Sequence, residues 1–338
     1  MQRFKKIIYV ITVTSFMFSA CSPKGNKEES SSKLEQKQTA SFTYQEVEGI
    51  GKDSVYNRRD PSDVIKVGGK YYVYYTRMDS PVRSGYWGTI WYATSEDEGY
   101  TWQEQGMALG LGKKGTFDSH SVFTPNILAY GGKYYMYYTA VKPTPGTPDG
   151  KFEGNSTNDF TAIGVAVADS PDGPFVRLPN NPVIGHSQVV SDFDSYRVDD
   201  ASMLVRDGKI WLYYKGRCIE HGKKGPKLTE MGVAMADSPE GPFVKYGSLL
   251  DRGHEVLIWK EGEGVSCLAS LSHSINHAED GLSFAMQYDS LKNIPMAPGL
   301  YRPHLQAGNP DVDTPGWGIS MTQGKGYAYL MRFEMLKN

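Results

Sequence analysis

The sequence predicts an all-β chain folded as a five-bladed β-propeller, and two recurring phrases carry that expectation. One returns three times, as GGKYYVYYT at 68–76, GGKYYMYYT at 131–139 and DGKIWLYYK at 207–215. A second follows each copy after a variable gap: WYATSEDEGYTW at 91–102, GVAVADSPDGPF at 164–175 and GVAMADSPEGPF at 232–243. The 37 Gly and 19 Pro among 338 residues suit a chain of short strands joined by tight turns.

The first phrase is a two-residue turn signal followed by an aromatic, β-branched run, which marks a β-hairpin. DVIKV at 63–67, NILAY at 126–130 and SMLVR at 202–206 stand at the same offset before the turns and supply the preceding strands. The second phrase reads as a third strand, a turn holding Asp, Ser, Pro and Gly, and a short outer strand carrying Trp or Phe. Four antiparallel strands recurring in one order describe a propeller blade, whereas a β-sandwich gives no reason for the paired phrases to keep that order. A degenerate fourth copy is expected over 256–286, and residues 299–337, with WGISM and YAYLMRF, supply a fifth.

What precedes the blades is different material. Arg3, Lys5 and Lys6 stand before an apolar run from Ile7 to Phe18, and Ser19-Ala20-Cys21 follows, giving a charged region, a hydrophobic region and a small-residue cleavage site. This resembles a bacterial lipoprotein signal, in which Cys21 becomes the lipid-bearing N-terminus. Residues 22–41 hold Ser, Lys, Glu and Gln with almost nothing apolar and read as a flexible tether. The expected organisation is a signal over 1–20, lipidated Cys, tether and lead-in over 21–53, and the propeller over 54–338. Such a chain is an exported lipoprotein of a Gram-negative bacterium, in the periplasm or on the outer-membrane surface, touching the membrane through its lipid alone. Its formal charge of −2 offers no footprint for nucleic acid. Three cysteines make no disulfide framework, and Cys218 and Cys267 leave room for one bridge at most.

In a propeller the innermost strand of each blade lines the central channel, so the residues that open each blade are the informative ones. They are Arg58-Arg59-Asp60-Pro61-Ser62, Phe123-Thr124-Pro125-Asn126, Arg197-Val198-Asp199-Asp200-Ala201-Ser202 and Gly253-His254-Glu255-Val256. Carboxylates and an imidazole at one mouth are equipment for acid and base chemistry. Any one of them alone reads equally well as a turn aspartate or a core histidine; their common placement is what gives them weight. Aligning Asp60-Pro-Ser with Asp200-Ala-Ser makes Asp200 the counterpart of Asp60. Counting back ten residues from the turn lysines Lys70 and Lys209 selects Asp199 instead.

The phrases RRDPSDVIKVGGKYYVYYT, FTPNI, RVDDA, GHEVLIW and APGLYRP resemble glycoside hydrolase family 117, which is related to families 43 and 62, over roughly residues 54–338. The resemblance implies an exo-acting, inverting hydrolase that releases α-1,3-linked 3,6-anhydro-L-galactose from the non-reducing end of neoagaro-oligosaccharides. It implies Asp60 as general base, with Asp200 or Asp199 tuning the acid and stabilising developing positive charge. His254 is then the acid with Glu255 orienting it, and Glu255 is the alternative acid. An inverting glycosidase holds its base and acid about 6.5–9.5 Å apart, and opposite walls of a channel supply that separation. Arg59, Asp118, His120, Trp317 and Tyr301 are expected to contact the sugar.

No cofactor is required by this chemistry. A divalent cation in the central channel is compatible with such folds, although His120, His273 and His277 match no ligand spacing. Members of the family commonly exchange an N-terminal helical segment to form dimers, and the short lead-in here leaves the oligomeric state open. Two other functions fit the same residues. One is a related exo-glycosidase of α-L-arabinofuranosidase or galactosidase type. The other is a non-catalytic glycan-binding propeller, which has no reason to keep Asp60, Asp200 and His254 together.

Overall fold

Twenty-two strands and one 3-10 segment make up the secondary structure of the described residues, which in this computed structural model are 40–79, 88–142, 160–269, 272–303, 316–323 and 327–337. The leader, Cys21 and the tether up to residue 39 lie outside the described residues. The strands form five antiparallel sheets, each one blade. The first strand, β1 (Ala40–Glu46), belongs to the last of them. Blade one has β2 (Tyr56–Arg59) and β3 (Ile65–Val67) together at its inner edge, then β4 (Lys70–Asp79), β5 (Thr89–Ser95) and β6 (Gln103–Leu109). Blade two runs outward through β7 (Ser121–Tyr130), β8 (Lys133–Lys142), β9 (Phe160–Ala168) and β10 (Val176–Arg177).

Blade three has β11 (Arg197–Arg206), β12 (Lys209–Arg217) and β13 (Glu230–Ala236), with β14 (Val244–Lys245) and β15 (Asp251–Arg252) both paired to β13. The 3-10 segment, Ile219–Lys227, joins β12 to β13. Blade four has β16 (Val256–Glu261), β17 (Gly264–Ala269), β18 (Ile275–Ala278) and β19 (Ala285–Tyr288); blade five has β20 (Met296–Leu300), β21 (Trp317–Gln323) and β22 (Ala328–Lys337). No helix among the described residues is long and apolar enough to cross a membrane.

The place of β1 corrects the expected boundary. It pairs antiparallel with β22 from Ala40↔Lys337 to Glu46↔Met331, burying Ala40 and Phe42 while Ser41 and Thr43 face out. Without it, the outer edge of a ten-residue strand would present unpaired N–H and C=O groups. The propeller therefore starts at residue 40 rather than 54, and its last blade is built from both ends of the folded chain.

The packing explains the letters of the repeat. In the Tyr-Tyr pair near the end of each copy, the first tyrosine donates its hydroxyl to a turn carbonyl in the following blade: Tyr74 to Pro171 at 2.5 Å, Tyr137 to Pro239 at 2.7 Å and Tyr213 to Gly281 at 2.9 Å. The second stays within its own blade, where Tyr75 donates to Glu104, Tyr138 to Asp118 and Tyr214 to Asp194. Five apolar clusters fill the gaps between neighbouring blades, one at each interface. Burial of this kind, at about 25 cal/mol per Å² of apolar surface, is what holds a ring of sheets together.

Hydrogen bonds also run round the channel from blade to blade. Asp63 N–H donates to Asn126 Oδ1, Asn126 Nδ2 to the Ala201 carbonyl, and Ile258 N–H to Ser202 Oγ. Leu300 N–H donates to Asp63 Oδ1 at 2.9 Å, and Arg302, fully buried, pairs through Nε with Asp63 Oδ2 at 2.7 Å and reaches the Ile258 carbonyl through Nη2. This lattice fixes the inner strands, and with them the residues at the mouth.

Candidate active site

Every blade opens its inner strand with the same local distortion. Asp60, Thr124, Asp200, Glu255 and Ala297 have φ of 50°, 44°, 54°, 58° and 44°. These are left-handed values that cost an ordinary L-residue roughly 1 kcal/mol or more. Where a register can be followed across the site it breaks there: between Phe123 and Asn126, between Asp199 and Ser202, and between Met296 and Gly299. A bulge re-aims a side chain that a regular strand would turn elsewhere. Here it turns one residue per blade into a single cavity where the five blades converge, lined by those five residues with Pro61, Pro125, Asn126, Ala201, Val256 and Pro298.

Three of the five positions carry carboxylates. In a ring of five, Asp60 of blade one is two steps from both blade three and blade four, so Asp200 and Glu255 sit side by side across the cavity from it. Asp60 is 5% exposed and accepts from Arg59 Nε at 2.8 Å. Burial opposes the charge on Arg59, but Asp60 beside it, with Glu255 and Asp200 beyond, holds the guanidinium firmly protonated.

The opposite wall is a dense set of ion pairs. Lys215 Nζ lies 2.5 Å from Asp200 Oδ2, 3.2 Å from Asp199 Oδ1 and 3.4 Å from His254 Nε2. Asp199 also receives Arg197 Nη2 at 3.0 Å. Burial would raise both carboxyl groups. At Asp199 the cations Lys215, Arg197 and Arg217 outweigh it and hold the group below its usual range. At Asp200 burial wins, and the neighbouring charges of Asp199 and Glu255 add to it, so the group sits above its usual range. His254 Nδ1 lies 3.4 Å from Glu255 Oε1, and Ala297 N–H donates to Glu255 Oε2 at 3.0 Å. One oxygen of Glu255 thus faces the His254 ring and the other is bound to a backbone N–H. Gly253, just before His254, has no alternative: a Cβ there would stand 2.0 Å from that of Ala269.

Asp200, not Asp199, is the counterpart of Asp60, since it has the left-handed backbone and lines the cavity while Asp199 turns to Arg197 and Lys215. Sequence reasoning passed over Lys215. Thr76 and Thr139 end the first two copies of the repeated phrase and accept the N–H of the left-handed residue in the next blade, Thr124 at 2.9 Å and Asp200 at 3.3 Å. The third copy ends in Lys215, and that one departure from the repeat was the available signal.

None of the five expected sugar contacts, nor His254, is among the residues that line the cavity: Arg59 is bound to Asp60 and His254 stands behind Glu255, and the other four lie farther from it. Asp118 is buried and fully engaged, accepting from Arg177 Nε at 2.5 Å, Thr116 Oγ1 at 2.6 Å and the Tyr138 hydroxyl at 3.0 Å; it pins a loop to the outer strand of blade two. His120 has Nδ1 3.0 Å from Ser119 Oγ and does not line the cavity. Tyr301 and Trp317 stack on each other at 5.0 Å and meet Tyr71 edge-on, in the apolar interface between blades five and one. They lie beyond the far end of β20, whose near end carries Ala297 at the cavity. Their irregular sequence context reflects the closing of the ring.

The residues present do not fit a channel cation. Among the described residues no group of three or more His, Cys, Asp or Glu side chains is arranged to hold a metal ion, and Asp60 and Asp200 are occupied by Arg59 and Lys215. His273 Nδ1 faces the Leu291 carbonyl and His277 Nδ1 faces Ser266 Oγ, both in blade four. Cys218 and Cys267 are buried free thiols.

Comparison with known proteins bears on this arrangement. Residues 57–223 match the profile of glycosyl hydrolases family 43. Among solved structures, a family 117 glycoside hydrolase of the marine bacterium Zobellia galactanivorans is similar with a TM-score of 0.74 and 30% identity, over 88% of this chain and 90% of that one. A thermostable family-43 glycoside hydrolase shares the fold, with a TM-score of 0.57 and 17% identity over 87% of this chain and 92% of that one. The xylosidase/arabinosidase 43A of Humicola insolens is 32% identical over 134 residues, 36% of this chain and 34% of its own length. A xylosidase/arabinosidase of Bacteroides ovatus is 29% identical over 116 residues, 34% of this chain and 28% of its own. The chain spans about a third of the length of the curated relatives it matches.

Proposed function

The chain belongs to glycoside hydrolase family 117, and from that premise we propose that this propeller O-glycosyl hydrolase is an exo-acting, inverting enzyme releasing 3,6-anhydro-L-galactose from the non-reducing end of neoagaro-oligosaccharides. The observation that carries the reading is the division of the cavity into two walls, with Asp60 on one and Asp200 beside Glu255 on the other. Inversion needs that division, because water attacks one face of the sugar while the leaving oxygen is protonated on the other. In this reading Asp60 takes the proton of the attacking water, and Arg59 fixes its carboxylate. Asp200 faces the anomeric centre and stabilises the positive charge that develops there.

His254 delivers the proton to the leaving oxygen. Glu255, with one oxygen fixed by Ala297 N–H and the other 3.4 Å from His254 Nδ1, orients the imidazole. The residues at 1–21 fit a lipoprotein leader, so the enzyme works at the cell envelope on oligosaccharides reaching it from outside. A second reading, an α-L-arabinofuranosidase-type exo-glycosidase on another glycan, is favoured by the match to family 43 over residues 57–223.

The test is incubation of the enzyme with neoagarobiose, neoagarotetraose, arabinan and a panel of aryl glycosides, with products followed by NMR. The proposal expects anhydrogalactose whose anomeric configuration is inverted at first appearance. Arabinose as the sole product moves the assignment to the second reading, and retention of configuration removes the inverting mechanism.

A further inference from the structure

Behind the third blade's channel wall is a buried cluster that neither hydrolysis nor the repeat accounts for. Arg197 on β11 and Arg217 on β12 stand directly opposite each other in the strand register, and Asp199 and Lys215 form the next pair on the same face. Like charges opposite each other destabilise a sheet, and these two are buried, Arg217 with 1% exposure. Arg197 is held by Asp199. Arg217 is not held in this way: its Nε, Nη1 and Nη2 are all buried, without a hydrogen-bond partner among the described residues. The 3-10 segment closes over it so tightly that a Cβ on Gly225 would lie 2.6 Å from Arg217 Cδ.

The charges of the cluster do not balance. Arg197, Lys215 and Arg217 bring three positive charges, Asp199 and Asp200 at most two negative ones, and the burial of Asp200 favours its neutral form. The strain shows in the guanidinium groups. Burial, with the charge of Arg217 added, pulls Arg197 down to about 10, and burial lowers Arg217 as well. A buried cation ordinarily finds a counter-charge and uses its donors, because leaving them idle is costly. A guanidinium is a fork of five N–H donors with no acceptor, so what these idle donors call for is an anion.

We propose that Arg217, together with Arg197, binds a small monovalent inorganic anion, chloride in ordinary saline media, beneath the segment Ile219–Lys227. The burial of Arg217 restricts the ion to a small one. Its negative charge offsets the like-charged pair and brings the cluster to balance. Its position behind Lys215 and Asp200 ties the rigidity of one channel wall to the halide. The site stands on the cluster alone and does not depend on which sugar the enzyme cleaves.

The test compares the purified protein in chloride, bromide, nitrate and gluconate at one ionic strength, with the melting temperature as readout. Bromide-soaked crystals are examined in parallel for anomalous scattering. The expected result is a saturable rise of a few degrees in chloride, bromide or nitrate over gluconate, and a bromide peak within hydrogen-bonding reach of the Arg217 guanidinium. Arg217→Met, which keeps the side-chain bulk and removes the charge, should melt at the same temperature in every salt. Equal melting of the wild type in all four salts, bromide peaks confined to the surface, or a halide response that survives in Arg217→Met overturns the site. If Arg217→Met does not fold, the two wild-type measurements decide by themselves.

Discussion

Lys215 Nζ stands 2.5 Å from Asp200 Oδ2 and 3.4 Å from His254 Nε2, where the two preceding blades have the threonine hydroxyls of Thr76 and Thr139. One change of residue in a structural repeat thus places a buried ammonium between the Asp200 carboxylate and the His254 imidazole. Lys215→Thr restores the repeat but takes the ammonium from two buried carboxylates, so the fold should persist at a lower melting temperature. Turnover should fall by roughly one to two orders of magnitude.

The pH dependence of that variant has a definite sign. Asp200 lies above its usual range because burial outweighs Lys215 and His254, the groups that favour its charge; Asp199 and Glu255 oppose it, and the Arg59 charge also reaches it. Removing Lys215 leaves the carboxyl protonated to higher pH, and only the ionised form stabilises positive charge on the sugar. The acid limb of kcat/KM should therefore move to higher pH than in the wild type. A limb that stays in place shows that Asp200 does not need to be ionised for turnover.

Asp60→Asn should lower kcat by about 10²–10⁴, the range a general base contributes, while KM changes little because the amide keeps the shape and can still meet Arg59. Near wild-type turnover in single-turnover kinetics removes Asp60 from the base role.

His254→Gln separates the two candidates for the acid. Loss of the proton donor matters most when the leaving group is poor, so turnover of the natural oligosaccharide should drop by about 10²–10⁴ and that of an activated aryl glycoside by far less. The same contrast in Glu255→Gln, and its absence in His254→Gln, transfers the role to Glu255.

The pair Asp63–Arg302 is buried where blades four, five and one meet. Arg302→Met leaves the Asp63 carboxylate buried without its counter-charge and should cost about 3–5 kcal/mol in urea unfolding. The double replacement Asp63→Asn with Arg302→Met should cost less than the single one. A single replacement within experimental error of wild type contradicts the structural role given to the pair.

The blades were legible because the repeat records contacts that recur: each Tyr-Tyr pair has one hydroxyl for the next blade's turn and one for its own. The register at the catalytic wall was not, and the reason is one residue. Ten positions separate Asp60 from Lys70, whereas nine separate Thr124 from Lys133 and Asp200 from Lys209. The surplus residue falls at Asp63-Val64, between β2 and β3, and Asp63 is the partner of Arg302. Counting from the turn therefore pointed to Asp199. Tyr301 and Trp317 lie in the seam where the last blade meets the first, packed against Tyr71 of the repeated phrase, so the last blade's departure from that phrase marks a seam and not a pocket. Asp118 is the same acid as Asp194 in the next blade, each bound by a tyrosine and a cation, and that repetition marks it as structural.

The tyrosine hydroxyls that reach from one blade to the turn of the next give the ring a direction. Tyr74, Tyr137 and Tyr213 all reach forward along the chain, so each of the first three blades carries the fastener for its successor. A unit copied by gene duplication would arrive ready to lock onto whatever followed it. The junction of blade five with blade one is fastened instead by the stack of Tyr71, Tyr301 and Trp317 and by β1. Amide protons there should exchange with solvent before those of any other blade boundary, because that junction is where the circle opens.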